Sequence, residues 1–380
     1  MNSLVTAAGA LVVLTALPYV AFLALYAWVR PSGSAADKRE AEPSVSVVLP
    51  TYNESGIVEK KLDDLLSLDY PMEKVEVVVV DSSDDETPEL VESYFAEREH
   101  PDLNLIREDD RRGLAPALND AYAAAENEMV VKTDCDSYVA ADALREAAAN
   151  LADPDVAAVT GQNAEVLGGS EVEAGYRGVQ AHVQTLESHL DSTLIFHGPF
   201  SAFENDAVVP LDPESLADDT ELALKIRRGG DRVVFDPAIR YKEASHSDFG
   251  KRRLQKDRRG MGLIRLLVQH RDALGKYGKY GKAVLPFNWW FMVISPWLVA
   301  LSVVAVTAAA VSVAGWAGLA VPAALAGFVW FGQKDLLGPL QAVYAVFDSQ
   351  VSLLHAAVEL LRGKGDGTWE VDEELREAFD

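Results

Sequence analysis

Cysteine is almost missing from this sequence: Cys135 is the only one in 380 residues. That excludes a disulfide framework and a thiolate-rich metal site, and it is compatible with a reducing compartment. Positive charge is scarce as well. Against 59 Asp and Glu stand 34 Lys and Arg, a net charge of −25, which disfavours nucleic acid as a partner because the phosphate backbone would be repelled. No internal repeat is evident, and nothing in the composition fixes an oligomeric state. Such acidity on a chain that is 49% hydrophobic reads as a surface kept hydrated in high salt, with a merely acidic protein as the alternative.

What is present begins with a long apolar run. Leu4 to Val29 carries no charge, and its length exceeds the roughly 20 residues that cross a hydrocarbon core. It is too long for the apolar core of a signal peptide and nothing basic precedes it, so residues 1–30 read as an uncleaved anchor. Arg30, Lys38 and Arg39 follow, and the positive-inside rule puts the next segment in the cytoplasm. Residues 31–44, with Pro31 and Pro43 at the edges, form a linker. Residues 284–332 are again free of charge and long enough for two spans, with a turn expected near Ala314 to Gly318. The cell membrane is therefore the expected location, with several crossings and the soluble domain on the cytoplasmic side.

Between these segments, residues 45–250 show short β-branched runs alternating with helical ones, the pattern of βαβ units and a parallel sheet. Strands are expected near 45–49, 75–80, 104–107, 129–132 and 156–160, with helices near 54–67, 88–99, 114–126 and 141–151. Later come a helix over 171–191, a helix over 218–228, and strands over 233–235 and 239–242. Residues 251–283 are strongly basic, with Arg252, Arg253, Lys256, Arg258 and Arg259 among apolar positions. A basic amphipathic helix beside a membrane segment is expected on the lipid surface. Residues 335–362 repeat apolar side chains at three-and-four spacing and read as an interfacial amphipathic helix, with Gln341, Asp348, Ser352, His355 and Glu359 on its polar face; a third span stays open. Residues 363–380 form an acidic tail.

The chemistry concentrates at strand ends. Asp134 and Asp136 are separated by one residue at the carboxyl end of a strand, where open α/β sheets place their ligands. In extended chain they point the same way, so both can face one divalent cation and the diphosphate it carries. Arg111 and Arg112 precede Gly113, putting positive charge beside a loop near that ligand, and Gly113 permits close backbone approach. Lys132 points to the face opposite Val131 and Thr133 and carries no assignment.

VSVVLPTYNES, VVVVDSSDDET, GLAPALN, KTDCDS and ADDTELALKIRRGG stand in this order. Together they resemble family 2 glycosyltransferases with a GT-A fold, over about Val45 to Met261. The resemblance implies that Glu54, behind Pro50, Thr51 and Tyr52, lines a nucleoside pocket and that Asp81 meets the base. It implies that Asp134 contacts the ribose or metal region, that Asp136 ligates Mg2+ or Mn2+, and that Asp219 is the catalytic base beside Asp218. His197 and Gly198 resemble the acceptor side, although a packed neutral histidine fits His197 equally well. Gln255 and Arg258 match a Gln-x-x-Arg-Trp motif of processive members and imply contact with the diphosphate, but Arg259 stands where that motif has tryptophan. The implied activity is inverting transfer of one sugar from a nucleotide-diphospho-sugar, a UDP-sugar first, to a lipid-linked acceptor such as dolichyl or polyprenyl phosphate or a glycan on one. Protein or cell-surface glycosylation is the implied pathway. A processive polysaccharide synthase and a non-catalytic membrane scaffold remain the alternatives.

Overall fold

A computed structural model describes residues 3–167, 171–244 and 249–363. Its centre is an eight-stranded sheet of order β3-β2-β1-β4-β7-β6-β8-β5. β1 (Val45–Thr51), β2 (Val75–Asp81), β3 (Asp102–Arg107) and β4 (Met129–Lys132) are parallel, with β1 between β2 and β4. The valine-rich runs of β1, β2 and β4 follow from burial on both faces, whereas β3, at the sheet edge, is half-buried and carries no valine. Val47 and Leu49 enter one core with α2 (Val58–Leu66), α3 (Thr87–Phe95) and α5 (Ala143–Leu151). Val48, Val78 and Val130 enter the other, with α4 (Leu114–Ala124) and α7 (Asp218–Gly229).

The second half of the sheet departs from simple alternation. β7 (Ser201–Glu204) runs antiparallel between β4 and β6 (Val156–Leu167), and β8 (Arg232–Ala244) runs parallel to β6. β5 (Ser137–Val139) follows β4 closely in sequence yet pairs with Tyr241–Glu243 at the far edge. The sheet therefore curls, and residues 133–136 span the gap between its two halves. β5 and β7 were not expected from the sequence, because three or four residues carry too little periodicity to register. β8 is one strand through Pro237 rather than two, and α2 begins four residues beyond Glu54 because residues 52–57 form a turn.

Two described stretches are long and apolar enough to cross a membrane, Ser3–Val29, which is α1, and Tyr280–Gln333. The second contains α9 (Leu285–Trp289) between two π-helical turns, then α10 (Ser295–Ala314) and α11 (Ala320–Gln333), separated by a 3-10 turn over Gly315–Leu319. That turn falls where the sequence places it. α1 lies on this unit: Thr15 is hydrogen-bonded to Ser302 at 3.1 Å, Tyr19 to Ser295 at 3.2 Å, and Phe22 stacks on Phe287 at 5.0 Å. Outward faces carry Leu17, Trp28, Val304, Val313 and Trp316.

α6 (Glu171–Leu190), α8 (Phe249–Gln269) and α12 (Gln341–Leu361) join these helices to the sheet domain. The sequence expectation for α8 and α12 changes here. Arg253 and Lys256 of α8 meet Asp348 of α12 at 2.7 and 3.3 Å, and His355 Nδ1 lies 2.6 Å from Asp257. Asp348 and Ser352 are buried, while Leu336, Leu340, Val343 and Leu361 are exposed. Asp348 and Ser352 of the polar stripe of α12 thus face inward toward basic residues of α8, beside buried Tyr344, Leu353 and Ala356, while Val343 and Leu361 face out.

Candidate active site

The carboxyl ends of β1, β2 and β4 deliver three loops to one edge. Thr51 and Asp81 form the last rung between β1 and β2. Thr51 Oγ1 donates to Asp81 at 2.7 Å, and Ser83 adds its hydroxyl at 2.6 Å and its amide at 3.1 Å. Asp81 is buried and held in one orientation by donors that suit an ionised carboxylate. Behind Pro50 and Thr51, Asn53 adopts φ +54°, a left-handed conformation that asparagine tolerates. Its side chain accepts from the Asp84 amide at 2.9 Å, and its own amide donates to Ser83 at 2.8 Å. These bonds tie the first loop to the second. Glu54 is buried beneath them, its amide donating to Thr87 at 2.9 Å.

Arg111, from the loop after β3, lies 3.6 Å above the Tyr52 ring. Arg112, its expected companion at the nucleotide, instead pairs with Glu108 and Asp120, two carboxylates within reach on its own segment. Gly113 has open space where a Cβ would sit, but its φ is +104°. Its glycine serves the left-handed turn into α4 rather than close packing.

The centre of the site is a lysine that sequence reasoning left unassigned. Lys132 is the last residue of β4, paired with Val48 and with Ser201, and its side chain is 2% exposed. Its ammonium lies 2.7 Å from Asp134 Oδ1, 3.3 Å from Asp219 Oδ2 and 4.0 Å from Asp218 Oδ2. Gly198 covers this cluster. A Cβ there would lie 2.4 Å from Asp134, 2.9 Å from the Lys132 ammonium and 3.2 Å from Asp219. The structure thus brings together Asp134, Asp218, Asp219 and Gly198, residues up to 85 positions apart in sequence. A signal for Lys132 was available: a long basic side chain at the end of the buried run MVVK needs a buried anion.

A second buried lysine supports the acid loop from α2. Lys61 donates to Thr133 Oγ1 at 2.9 Å and to the Ser137 carbonyl at 2.8 Å, with Asp64 at 3.5 Å. On the other flank, His197 Nε2 meets Gln184 Oε1 at 3.0 Å. Burial, with Arg177 and Arg259 nearby, lowers its pKa to about 3, so it is a neutral packed ring. Glu243 joins Arg177 at 3.0 Å and also pairs with Arg259. Burial works to raise its pKa, yet the two guanidiniums hold it at about 2. One turn from Gln255, Arg258 is half-buried and makes no hydrogen bond or ion pair among the described residues. Asp218 attracts it, and Arg259 and Arg111 repel it.

The electrostatics leave the site short of positive charge. Burial pushes Asp136 up to about 7, with Asp134 and Glu243 adding repulsion. Burial also raises Asp218 and Asp219, against the pull of Lys132. Asp218 Oδ2 and Asp219 Oδ1 are buried with no hydrogen-bond partner among the described residues. Hard carboxylate oxygens, one of them unfavourably ionised, fit a divalent cation. Among the described residues no group of three His, Cys, Asp or Glu closes a cage, so Asp134 and Asp136 would hold the ion by one edge and leave its remaining positions to diphosphate and water.

Comparison with known proteins identifies the family. The model for "Glycosyl transferase family 2" matches residues 46–208, and that for "Glycosyl transferase family group 2" matches residues 129–331. The chain belongs to glycosyl transferase family 2. Among solved structures, this glycosyltransferase is similar to the mannosyltransferase PcManGT from Pyrobaculum calidifontis in complex with GDP-Man and Mn2+, with 30% identity, TM-score 0.81, and coverage of 95% of this chain and 99% of the other. It is 28% identical to poly-beta-1,6-N-acetyl-D-glucosamine synthase of Staphylococcus aureus over 51% of this chain, and 27% identical to that of Staphylococcus epidermidis over 52%. The chain spans about half the length of these curated relatives. As a family 2 glycosyltransferase it uses a nucleotide-sugar on a GT-A sheet, and its apolar helices suit a membrane-associated enzyme.

Proposed function

We propose that this enzyme transfers one sugar, with inversion, from a nucleoside-diphosphate-sugar to a hydroxyl of a lipid-linked glycan at the cytoplasmic face of a membrane, and that its polypeptide crosses that membrane several times. The carrying observation is the divided carboxylate of Asp219: Oδ2 faces Lys132 at 3.3 Å, while Oδ1 is buried without a partner among the described residues. An oxygen so placed can accept the acceptor's proton. The freed oxygen attacks the anomeric carbon as the bond to the diphosphate breaks on the opposite side, which inverts the centre. Arg258, unengaged among the described side chains, receives the leaving diphosphate. Mg2+ or Mn2+ on Asp136 and Asp134 would supply further neutralisation of that charge. Thr51, Tyr52, Glu54 and Asp81 form the nucleoside side, with Arg111 closing over Tyr52.

GDP-mannose, the ligand of the Pyrobaculum enzyme, is the first donor to test, with UDP-sugars beside it. The acceptor assignment follows from the base. A polyprenyl phosphate is already anionic and requires no proton removal, whereas a glycan hydroxyl does. The outward apolar residues of α12 and the helices around α10 would bring a lipid carrier to the cleft. The experiment is incubation of membranes carrying the enzyme with a panel of GDP- and UDP-sugars, followed by mass analysis of extracted lipids. A single added hexose on a lipid-linked glycan supports the reading. Addition directly to polyprenyl phosphate overturns the glycan assignment, and long polymer favours the synthase activity named for the staphylococcal relatives.

A further inference from the structure

We propose that Lys132 is a positioning residue: its buried ammonium ties the donor-side acid Asp134 to the acceptor-side base Asp219 and fixes which oxygen of each remains available. This inference rests on the proposed glycosyl transfer and deepens it. The geometry is specific. β4 ends at Lys132, and the register with Val48 on one side and Ser201 on the other sets where the side chain leaves the sheet. Thr133 continues the chain, its amide donating to the Val48 carbonyl at 3.1 Å and its hydroxyl to the Pro199 carbonyl at 2.8 Å. The ammonium then has one oxygen of Asp134 at 2.7 Å and one of Asp219 at 3.3 Å. Gly198 seals the other side, its missing Cβ leaving just the room the three charged groups occupy.

Two consequences follow from a cation shared in this way. Asp219 loses rotational freedom, and its unpartnered Oδ1 is the oxygen left for the acceptor proton. Asp134 has Oδ1 occupied, so a divalent cation can reach only its other oxygen and must lean on Asp136. Lys132 therefore opposes metal binding at Asp134 while it supports the base.

The test uses the full-length enzyme in detergent or nanodiscs with K132Q, D219N, the double variant and G198A, each checked for folding by thermal unfolding. Mn2+ alone is titrated first, by electron paramagnetic resonance without donor. K132Q is expected to bind Mn2+ several-fold more tightly than wild type; unchanged or weaker binding overturns the proposal. Transfer is measured next. K132Q is expected to lower kcat about a hundredfold with donor KM within a few-fold, and to add little to the loss already caused by D219N. Fully multiplicative losses in the double variant overturn the link between the two residues. If K132Q does not fold, G198A perturbs the same cluster from outside, since its methyl would press on Asp134 Oδ2, the oxygen left for the cation, and on the ammonium. It is expected to weaken Mn2+ binding and depress kcat, and wild-type behaviour in both readouts overturns the proposal. Should wild type transfer no sugar from any donor, the functional reading fails by itself, and the Mn2+ titration still decides the role of Lys132.

Discussion

Asp219, buried, and Asp136, partly buried, both have raised pKa, yet their surroundings assign them different work. Asp219 faces an ammonium with one oxygen, and its other oxygen has no hydrogen-bond partner among the described residues. Asp136 is opposed chiefly by burial and then by Asp134 and Glu243, so it gains most from an added cation. Asp219→Asn removes the proton acceptor but keeps the shape. It should bind whichever nucleotide-sugar the donor panel selects with wild-type affinity in calorimetry while transfer falls about 10²–10⁴-fold, the usual worth of a positioned base. Asp136→Ala should lose the Mn2+-dependent part of donor binding in the same measurement. At this scale the sequence was largely legible, because acids at strand ends announce themselves by position. Lys132 was read only for its direction; Asp134 stands two residues on, but Asp218 and Asp219 open α7, and no local spacing connects them to β4. The two arginines read together in the sequence have different partners: Asp120, on the following helix, reaches Arg112, while Arg111 lies over Tyr52.

The helical elements show how an amphipathic pattern leaves open what its polar face packs against. α12 has the two stripes that its spacing predicts, but the acidic one packs on a basic partner helix. Asp348 meets Arg253 and Lys256 there, and Arg253 also donates to Ser352 at 2.8 Å. Gly260 of α8 approaches Ala356 and Leu353 of α12 closely beneath this network. Asp348→Ala would leave two cations facing each other without their shared anion. A cost of roughly 3 kcal/mol is expected, at the lower end for a broken buried pair because all three groups retain some solvent access. Thermal unfolding should show the loss, and limited proteolysis should cut α12 before the sheet domain. Absence of both changes would mean that the apolar contacts alone hold the helix. The parallel strands β1, β2 and β4 were legible because each is a buried, valine-rich run, and β3 because its apolar residues alternate with polar ones. β5 and β7 were not, since they exist only through pairing with strands distant in sequence.

At the scale of the molecule, two separate electrostatic terms set stability. The first is the net charge of −25, whose self-repulsion is long-ranged and falls when salt shortens the screening length. The melting temperature should therefore rise when KCl is increased from about 0.1 M to about 1 M, over which the screening length drops from roughly 10 Å to 3 Å. A flat or falling trend would remove the high-salt reading of the composition.

The second term is local and sits where the catalytic domain meets the membrane unit. Glu187 on α6 is buried, and it accepts from Asn288 of α9 at 2.5 Å, from the Thr193 hydroxyl at 3.0 Å and from the Leu194 amide at 3.1 Å. Burial raises its pKa to about 7 even though these three donors favour the ionised form. The unfolded chain releases this proton near 4.5 and the folded chain near 7, so between those values the folded state binds more protons. Stability from this group is complete below the lower value and is lost as pH rises through the higher one, a change of order 3 kcal/mol. Glu187→Gln cannot ionise. Its unfolding temperature should thus fall less than that of wild type between pH 5 and pH 8, and the two curves should converge toward acid if the amide fits. Parallel curves would show that Glu187 does not titrate in this range, and that the α6–α9 contact is insensitive to pH across the interval in which the raised carboxylates of the active site also change charge.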